Sequence, residues 1–220
     1  MASKRKQELS PSSYPSAKFF ALLQKAWGVV VLYKEQVIVG GVVIVVVAAS
    51  WISWVAWTQY RYSAGLQQLS AGMAALDKEN LQQAIDLLKE AEQALSGSAA
   101  QGVALLYLGE AYEKDDQPAQ AKAMYERSAQ VRNNRGYITQ VALLRLGQVA
   151  EQAGNLDTAT EWYRRASLID RPGKVEALLA LGEVAERNQD AETSATSYED
   201  LLEQYPESPL AELIKAKKLR

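Results

Sequence analysis

The sequence predicts an all-α protein, in which a single N-terminal transmembrane helix is followed by an α-solenoid of about four helix pairs and a C-terminal capping helix. Three observations predict it. Residues 37–57 contain no charged side chain, and a glycine-centred segment recurs through the rest of the chain. Residues 1–62 carry a net charge of +5 and the remainder −7, within an overall charge of −2. Such an asymmetry indicates two environments.

The uncharged stretch is long enough to cross a bilayer. At 1.5 Å per residue, a helix over residues 37–57 covers about 31 Å, which matches one hydrocarbon core. A lone strand would leave its backbone groups unpaired in lipid. Trp51, Trp54 and Trp57 cluster at the C-terminal end of the stretch, as in an interfacial aromatic belt. We therefore predict a transmembrane helix over residues 36–60.

Basic residues precede this helix and predict its orientation. They are Lys4, Arg5, Lys6, Lys18, Lys25 and Lys34, whereas Arg61 is the only basic residue among the twenty that follow residue 57. The positive-inside rule then places the N-terminus in the cytoplasm and the C-terminal domain on the other side of the membrane. The alternative is a signal peptide cleaved after residues 47–49, which the long basic region and the continuing apolar stretch disfavour.

The segments around the membrane helix have separate interpretations. Residues 1–17 are predicted to be a flexible basic cytoplasmic tail. Residues 18–35 are predicted to be an interfacial amphipathic segment, because Gln24 and Lys25 interrupt an apolar run too short to span. A helical wheel places Gly41, Ala49, Ser53 and Ala56 within one arc, which suits close membrane-helix packing. Small residues are also common in any membrane helix.

A repeated unit occupies the chain beyond the membrane helix. The segment Val-Ala-Leu-Leu-Tyr-Leu-Gly-Glu at 103–110 recurs at 141–148 and, shortened, at 177–183. Each glycine is followed after twelve residues by a small residue and after sixteen by a tyrosine or leucine. The four sets are Gly72, Ala84 and Leu88; Gly109, Ala121 and Tyr125; Gly147, Ala159 and Tyr163; Gly182, Ser194 and Tyr198. The chain is therefore an array over residues 61–206, followed by a capping helix and basic tail over 207–220.

Each unit is interpreted as two antiparallel helices. The glycine and the small residue permit a close crossing of the two helices, and the tyrosine is expected to fill the gap between one pair and the next. The glycines are spaced by 37, 38 and 35 residues. We expect longer second helices, rather than long loops, to accommodate this spacing.

These offsets of leucine, glycine, alanine and tyrosine resemble the tetratricopeptide repeat over about residues 65–206. The resemblance is strongest in the second to fourth units, since the first has Ala71 in place of the leucine before its glycine. It implies tetratricopeptide-type helix pairs stacked into a superhelix, with a concave groove that binds extended or helical peptides.

The resemblance also implies which residues face that groove. They are predicted to be Val103, Leu106, Glu110, Glu113, Val141, Leu144, Gln148, Glu151, Leu179, Glu183 and Glu186. Apolar side chains next to glutamates suit an apolar segment that carries basic residues. The alternative is that the glutamates form an ordinary solvated surface.

Composition argues against an enzyme. Without cysteine or histidine, the chain cannot form thiol nucleophiles, imidazole bases or Cys/His metal sites. No catalytic residue, cofactor or metal site is predicted, and Asp115 and Asp116 are interpreted as helix-capping residues. The acidic array disfavours nucleic acid as a partner, and no small-molecule substrate is indicated.

The layout of tail, uncleaved anchor and acidic array resembles the YfgM-like proteins of Gram-negative envelopes, which are ancillary subunits of the SecYEG translocon. This resemblance implies a holdase-type adaptor for protein translocation, anchored in the inner (cytoplasmic) membrane with its repeat domain in the periplasm. It also implies the translocon, a periplasmic chaperone and emerging chains as partners. Two alternatives remain: a structural accessory subunit that uses the small-residue face of its membrane helix, and an assembly scaffold of an envelope complex.

Overall fold

The computed structural model describes residues 15–132 and 136–218, without the side chains of residues 15–18, 29, 30, 34, 37, 217 and 218. Most of the predicted cytoplasmic tail, with Lys4, Arg5 and Lys6, lies outside this description, as does Arg220 at the other end. The chain forms two compact units, residues 1–58 and 59–220.

The described part of the first unit is helical and apolar. Helix α1 spans Pro15–Leu32 and helix α2 spans Lys34–Asp77. Between Ile38 and Asp77, α2 is long and apolar enough to cross a membrane, the only such helix in the described ranges. Large apolar side chains of this unit are exposed, for example Trp51 at 69%. Two hydroxyls bond within the helix, from Ser50 Oγ to the Val46 carbonyl (2.8 Å) and from Thr58 Oγ1 to the Val55 carbonyl (2.9 Å).

The second unit is an array of four helix pairs and a final helix. The first pair consists of the C-terminal part of α2 and α3 (Leu81–Ala94). The other elements are α4 (Ala99–Lys114) with α5 (Pro118–Gln130), α6 (Tyr137–Gln152) with α7 (Leu156–Ser167), α8 (Lys174–Arg187) with α9 (Ala191–Gln204), and α10 (Pro209–Lys218). The predicted all-α architecture of four helix pairs and a last helix is confirmed.

Contacts between non-consecutive helices show which side of the array is inner. Helix α4 contacts α6, and α6 contacts α8, whereas α5 and α7, or α7 and α9, share no such contact in the described residues. In a curved stack the elements on the inside approach one another and those on the outside separate. The first helices α4, α6 and α8 therefore line the inner surface of the array.

Glycine spacings of 37, 38 and 35 residues exceed the period of about 34 in the tetratricopeptide repeat, which this sequence resembles. The additional residues lie in the linkers and the first helices. Helices α3, α5, α7 and α9 have 14, 13, 12 and 14 residues, whereas α4, α6 and α8 have 16, 16 and 14. Linkers of six residues separate α5 from α6 and α7 from α8. The prediction that longer second helices accommodate the spacing is wrong.

The turn inside each pair has one geometry. The residue seven positions after each repeat glycine has a positive φ, namely Glu79 (60°), Asp116 (56°), Gly154 (77°) and Gln189 (60°). In the fourth pair, the Gln189 N–H donates to the Glu186 carbonyl (3.0 Å) and the Asp190 N–H to the Ala185 carbonyl (2.9 Å). The other three turns repeat these two bonds. This pattern is the Schellman motif, which satisfies the last carbonyls of the preceding helix.

Candidate functional site: the inner surface of the array

The repeat glycines are required where the aromatic ring of the second helix crosses the first helix. A Cβ atom placed on Gly109 would lie 2.5 Å from Cε1 of Tyr125, and one on Gly147 would lie 2.3 Å from Cε1 of Tyr163. Gly182 stands in the same relation to Tyr198, also at 2.3 Å. Each tyrosine therefore packs on the glycine of its own pair, a contact that the sequence interpretation missed.

Tyr125 also contacts the next pair, as predicted. It belongs to one apolar cluster with Leu143 and Leu146 of α6. The tyrosine thus connects the crossing within its own pair to the junction with the following pair.

Each of these tyrosines donates a hydrogen bond to a glutamate on the first helix of its pair. The Tyr125 hydroxyl donates to Glu113 Oε2 (2.9 Å), that of Tyr163 to Glu151 Oε2 (2.8 Å), and that of Tyr198 to Glu186 Oε2 (3.2 Å). Burial, reinforced by the neighbouring carboxylate, raises the pKa of Tyr125 and that of Tyr163 above the ordinary range. Both hydroxyls therefore stay protonated and remain donors at neutral pH.

Two of the same glutamates also join successive first helices. Glu113 Oε1 on α4 accepts a hydrogen bond from Gln152 Nε2 on α6 (3.3 Å). Glu151 on α6 forms an ion pair with Arg187 on α8. Glu113 and Glu151 were predicted to face the groove. Their contacts show that they also connect the helices that form it.

A pocket of about 210 Å³ opens between α4 and α6. Four of the predicted groove residues line it: Val103, Leu106, Glu110 and Val141. The sequence interpretation missed the other five, which are Tyr107, Tyr125, Tyr137, Ile138 and Arg145. Tyr107 and Arg145 both stand two residues before a repeat glycine, a shared position that could have indicated them.

Charged groups border this pocket. Glu110 pairs with Lys114 one turn later (3.5 Å), and Arg145 Nη1 donates to Gln148 Oε1 (3.1 Å). Arg145 also lies close enough to Tyr125 to lower that hydroxyl's pKa, against the larger effects of burial and Glu113.

The other predicted groove residues are distributed along α6 and α8. Leu144 is half-buried between two core clusters, and Leu179 packs on the cluster that α8, α9 and α10 share. Gln148, Glu183 and Glu186 are exposed. The structure therefore forms the pocket at the junction of the second and third pairs, and the acidic residues continue beyond it along α8.

The predicted helix-packing face of the first unit has no covering group among the described residues. A Cβ atom on Gly41 would meet nothing within 4 Å, and Ala49, Ser53 and Ala56 are exposed. The face stays a hypothesis.

The two adjacent aspartates occupy the turn between α4 and α5 without capping α5. Asp115 directly follows α4 and accepts a hydrogen bond from Gln117 Nε2, while Asp116 adopts the positive φ. The N-cap of α5 is Gln117, whose side chain makes no capping bond. Asp115 is the C-cap residue of α4, and Asp116 belongs to the turn that ends this helix, so the capping by these aspartates is at the end of α4 and not at the start of α5. Within the described residues, no three acidic side chains form a group that could hold a metal ion.

Family comparisons agree with this helix-pair geometry. The model of a tetratricopeptide repeat-like domain matches residues 30–168, and a tetratricopeptide repeat model matches residues 176–208. The chain belongs to the tetratricopeptide repeat-like domain family. No curated protein matches it significantly in sequence.

Solved structures show the same fold. MamA is 25% identical over 70% of this chain and 81% of its own, with a TM-score of 0.54. YrrB, described as a tetratricopeptide protein with an unusual peptide-binding site, is 24% identical over 71% of this chain and 75% of its own, with a TM-score of 0.52. PilF of Pseudomonas aeruginosa is 20% identical over 70% and 66%, with a TM-score of 0.50. The array is therefore a protein-interaction module of tetratricopeptide type, a fold typical of non-enzymatic scaffolds.

Proposed function

We propose that the protein is a membrane-anchored adaptor of the holdase type, which binds segments of other proteins on the inner surface of its array. The observation that carries this proposal is the pocket between α4 and α6, where apolar and aromatic side chains lie beside a glutamate. An apolar surface with acidic neighbours suits an apolar segment that carries basic residues, as unfolded or emerging chains do.

The anchor part of the proposal rests on α2. Large apolar side chains cover its N-terminal half and are exposed, whereas a water-soluble protein seldom exposes so continuous an apolar surface. Its Ser50 and Thr58 hydroxyls bond to backbone carbonyls of the same helix, which satisfies polar groups without water.

The proposed location of the array follows from the charge distribution. Basic residues before α2 favour a cytoplasmic N-terminus and a periplasmic array, and the resemblance to YfgM-like proteins supports an association with the SecYEG translocon. Protease added to intact spheroplasts is expected to digest the array. Digestion only after the cells are broken would reject the periplasmic location.

Charge reversal tests the groove. We expect Glu110→Lys combined with Glu183→Lys to lower photocrosslinking to emerging periplasmic chains severalfold, because basic segments would then be repelled. The matched control is Glu199→Lys with Glu203→Lys, which changes the same net charge at exposed positions of α9. Unchanged crosslinking in the first variant, or an equal loss in the control, would reject the proposal.

A second candidate function is a structural accessory subunit of a membrane complex. It is supported by the small residues Gly41, Ala49, Ser53 and Ala56, which share one face of α2 and would allow another membrane helix to approach closely. Replacing Gly41 and Ala49 with leucine should release the protein from such a complex, whereas Val43→Leu with Val47→Leu, on the opposite side of the helix, should not. Retention of the first variant would count against this candidate.

A further inference from the structure

The volume of the pocket between α4 and α6 limits which side chain can bind there. Its volume is about 210 Å³, whereas an apolar protein cavity of about 150 Å³ is large enough to hold benzene. One phenyl ring with its methylene therefore fits, while a folded element does not. Val103, Leu106, Ile138 and Val141 supply apolar walls, so that removing a ring from water into this pocket is favourable.

Three tyrosines from three different helices line this junction between the second and third pairs. Tyr107 comes from α4, Tyr125 from α5 and Tyr137 from α6. At the junction of the third and fourth pairs, the positions matching Tyr107 and Tyr137 hold Arg145 and Pro172. The junctions are therefore chemically different, and a segment anchored in this pocket would have its register fixed along the array.

Tyr137 lines this pocket and is itself partly exposed to water. Its side chain is 47% exposed, and among the described residues after residue 62 it is one of four exposed large apolar side chains, with Leu66, Leu168 and Leu213. Of these four, only Tyr137 lines the pocket. A ring inserted beside it would cover apolar surface that the array itself leaves in water.

The charges along the first helices select what flanks the ring. Glu110 borders the pocket, and Glu183 lies exposed on α8. Arg145 also lines the pocket and donates to the neutral Gln148, while Lys114 pairs with Glu110 and Arg187 with Glu151. Helices α4, α6 and α8 together carry six glutamates against four lysines and arginines, so the inner helices have a net negative charge. A cationic side chain next to the ring is therefore favoured over an anionic one.

We infer that the pocket between α4 and α6 is an anchor site for one aromatic side chain of a bound protein segment, and that this side chain is flanked by lysine or arginine. The inference rests on the proposed function and adds the chemical class and register of the segment.

The test uses the full chain in detergent and three fluorescein-labelled twelve-residue peptides of glycine and serine. The first carries Lys-Phe-Lys at its centre, the second Lys-Ala-Lys and the third Glu-Phe-Glu. Anisotropy titration is expected to give a dissociation constant at least about tenfold weaker for the alanine peptide, because burial of the ring is lost. The glutamate peptide is expected to bind at least about fivefold more weakly than the first.

Two surface variants locate the binding. Tyr137→Ser should weaken the Lys-Phe-Lys peptide severalfold and leave the Lys-Ala-Lys peptide unchanged. Leu168→Ser is the matched control, because Leu168 is also exposed and does not line the pocket. A second pair, Leu106→Ala and Leu144→Ala, compares half-buried leucines of the same repeat position, of which only Leu106 lines the pocket.

Several outcomes would overturn the anchor site: no saturable binding of the Lys-Phe-Lys peptide, equal binding of the phenylalanine and alanine peptides, or equal effects of a variant and its control. If the peptides gave one of these outcomes while photocrosslinking in cells still depended on Glu110 and Glu183, the anchor site would be rejected and the proposed function would stand. If crosslinking were indifferent to those charges while the peptides behaved as expected, the proposed function would fail instead.

Discussion

The first helix pair of the array and the three that follow it achieve the same crossing with different side chains. In the later pairs a glycine faces a tyrosine whose hydroxyl bonds to a glutamate, as Gly147, Tyr163 and Glu151 do. In the first pair the corresponding residues are Gly72, Leu88 and Leu76, and a Cβ on Gly72 would lie 2.7 Å from Leu88 Cγ.

This difference shows which residues the helix crossing requires and which can be replaced. Glycine opposite a large side chain is common to all four pairs, so close approach of the two helices is the requirement. The tyrosine and the glutamate are replaced together by Leu88 and Leu76, both buried in one apolar cluster. Replacing one alone would leave a buried hydroxyl or a carboxylate without its partner, which costs more than losing both.

The largest expected effect is at the glycine. Gly147→Ala should lower the free energy of unfolding by about 2 kcal/mol, because the ring of Tyr163 cannot yield to a Cβ and the overpacking exceeds the gain in helix propensity. Gly72→Ala should cost less, about 1 kcal/mol. Its Cβ would meet Leu88 Cγ at 2.7 Å and Cδ2 at 2.9 Å, whereas a Cβ on Gly147 would meet three atoms of a rigid ring at 2.3 to 2.7 Å. Urea unfolding of the two variants measures the difference, and equal losses would contradict the account.

A smaller effect is expected from exchanging the polar pair. Glu151→Leu alone should cost about 1–2 kcal/mol, because it leaves the Tyr163 hydroxyl buried without an acceptor and removes the ion pair with Arg187. Tyr163→Leu with Glu151→Leu, which copies the first pair, should cost less than the sum of the single changes. A double-mutant cycle measures this coupling, and simple additivity would show that the hydroxyl and carboxylate act independently.

Substitutions in the turns are expected to change the free energy of unfolding by about 1 kcal/mol. Gly154→Ala forces a Cβ into the left-handed region and should destabilise the array by that amount. Gln189→Gly relieves the same strain and should stabilise it by a similar or smaller amount. Thermal melts of both variants are the check, and a change of the same sign in both would rule out backbone strain as the cause.

The smallest expected effect is a difference in how the melting temperatures of the parent protein and a variant without Tyr163 depend on alkaline pH. The pKa of Tyr163 is raised in the folded protein above the value of about 10 for the unfolded chain. Its stabilising effect is therefore fully present below pH 10 and is lost as the pH rises toward the folded pKa. Above pH 10, the melting temperature of the Tyr163→Leu, Glu151→Leu variant should fall less steeply than that of the parent protein. Parallel profiles would contradict the assigned cause.

Much of the fold could be predicted from the sequence, because the spacing of Gly72, Gly109, Gly147 and Gly182 directly reflects helix crossings. The helix lengths could not. Whether additional residues extend a helix or a linker depends on where the next pair packs. The linker 168–173 shows one solution, in which Gln140 Nε2 donates to the Ala166 and Ile169 carbonyls at 3.1 and 2.7 Å.

The candidate site could be predicted in part. Periodicity along one helix indicated Val103, Leu106, Glu110 and Val141, which do line the pocket. Tyr137 and Arg145 join them through the packing of α6 on α4, and this register between helices is not contained in the period of either one. The tyrosine contacts of Glu113, Glu151 and Glu186 were missed for the same reason.

The central claim is that protein segments bind the inner surface of the array, and crosslinking from two exposed positions tests it most directly. A photoreactive residue at Gln148 on α6 samples the inner surface, and one at Glu161 on α7 samples a second helix. In intact cells, we predict that protein adducts from position 148 exceed those from position 161 severalfold. Equal yields, or more adducts from position 161, would contradict the claim.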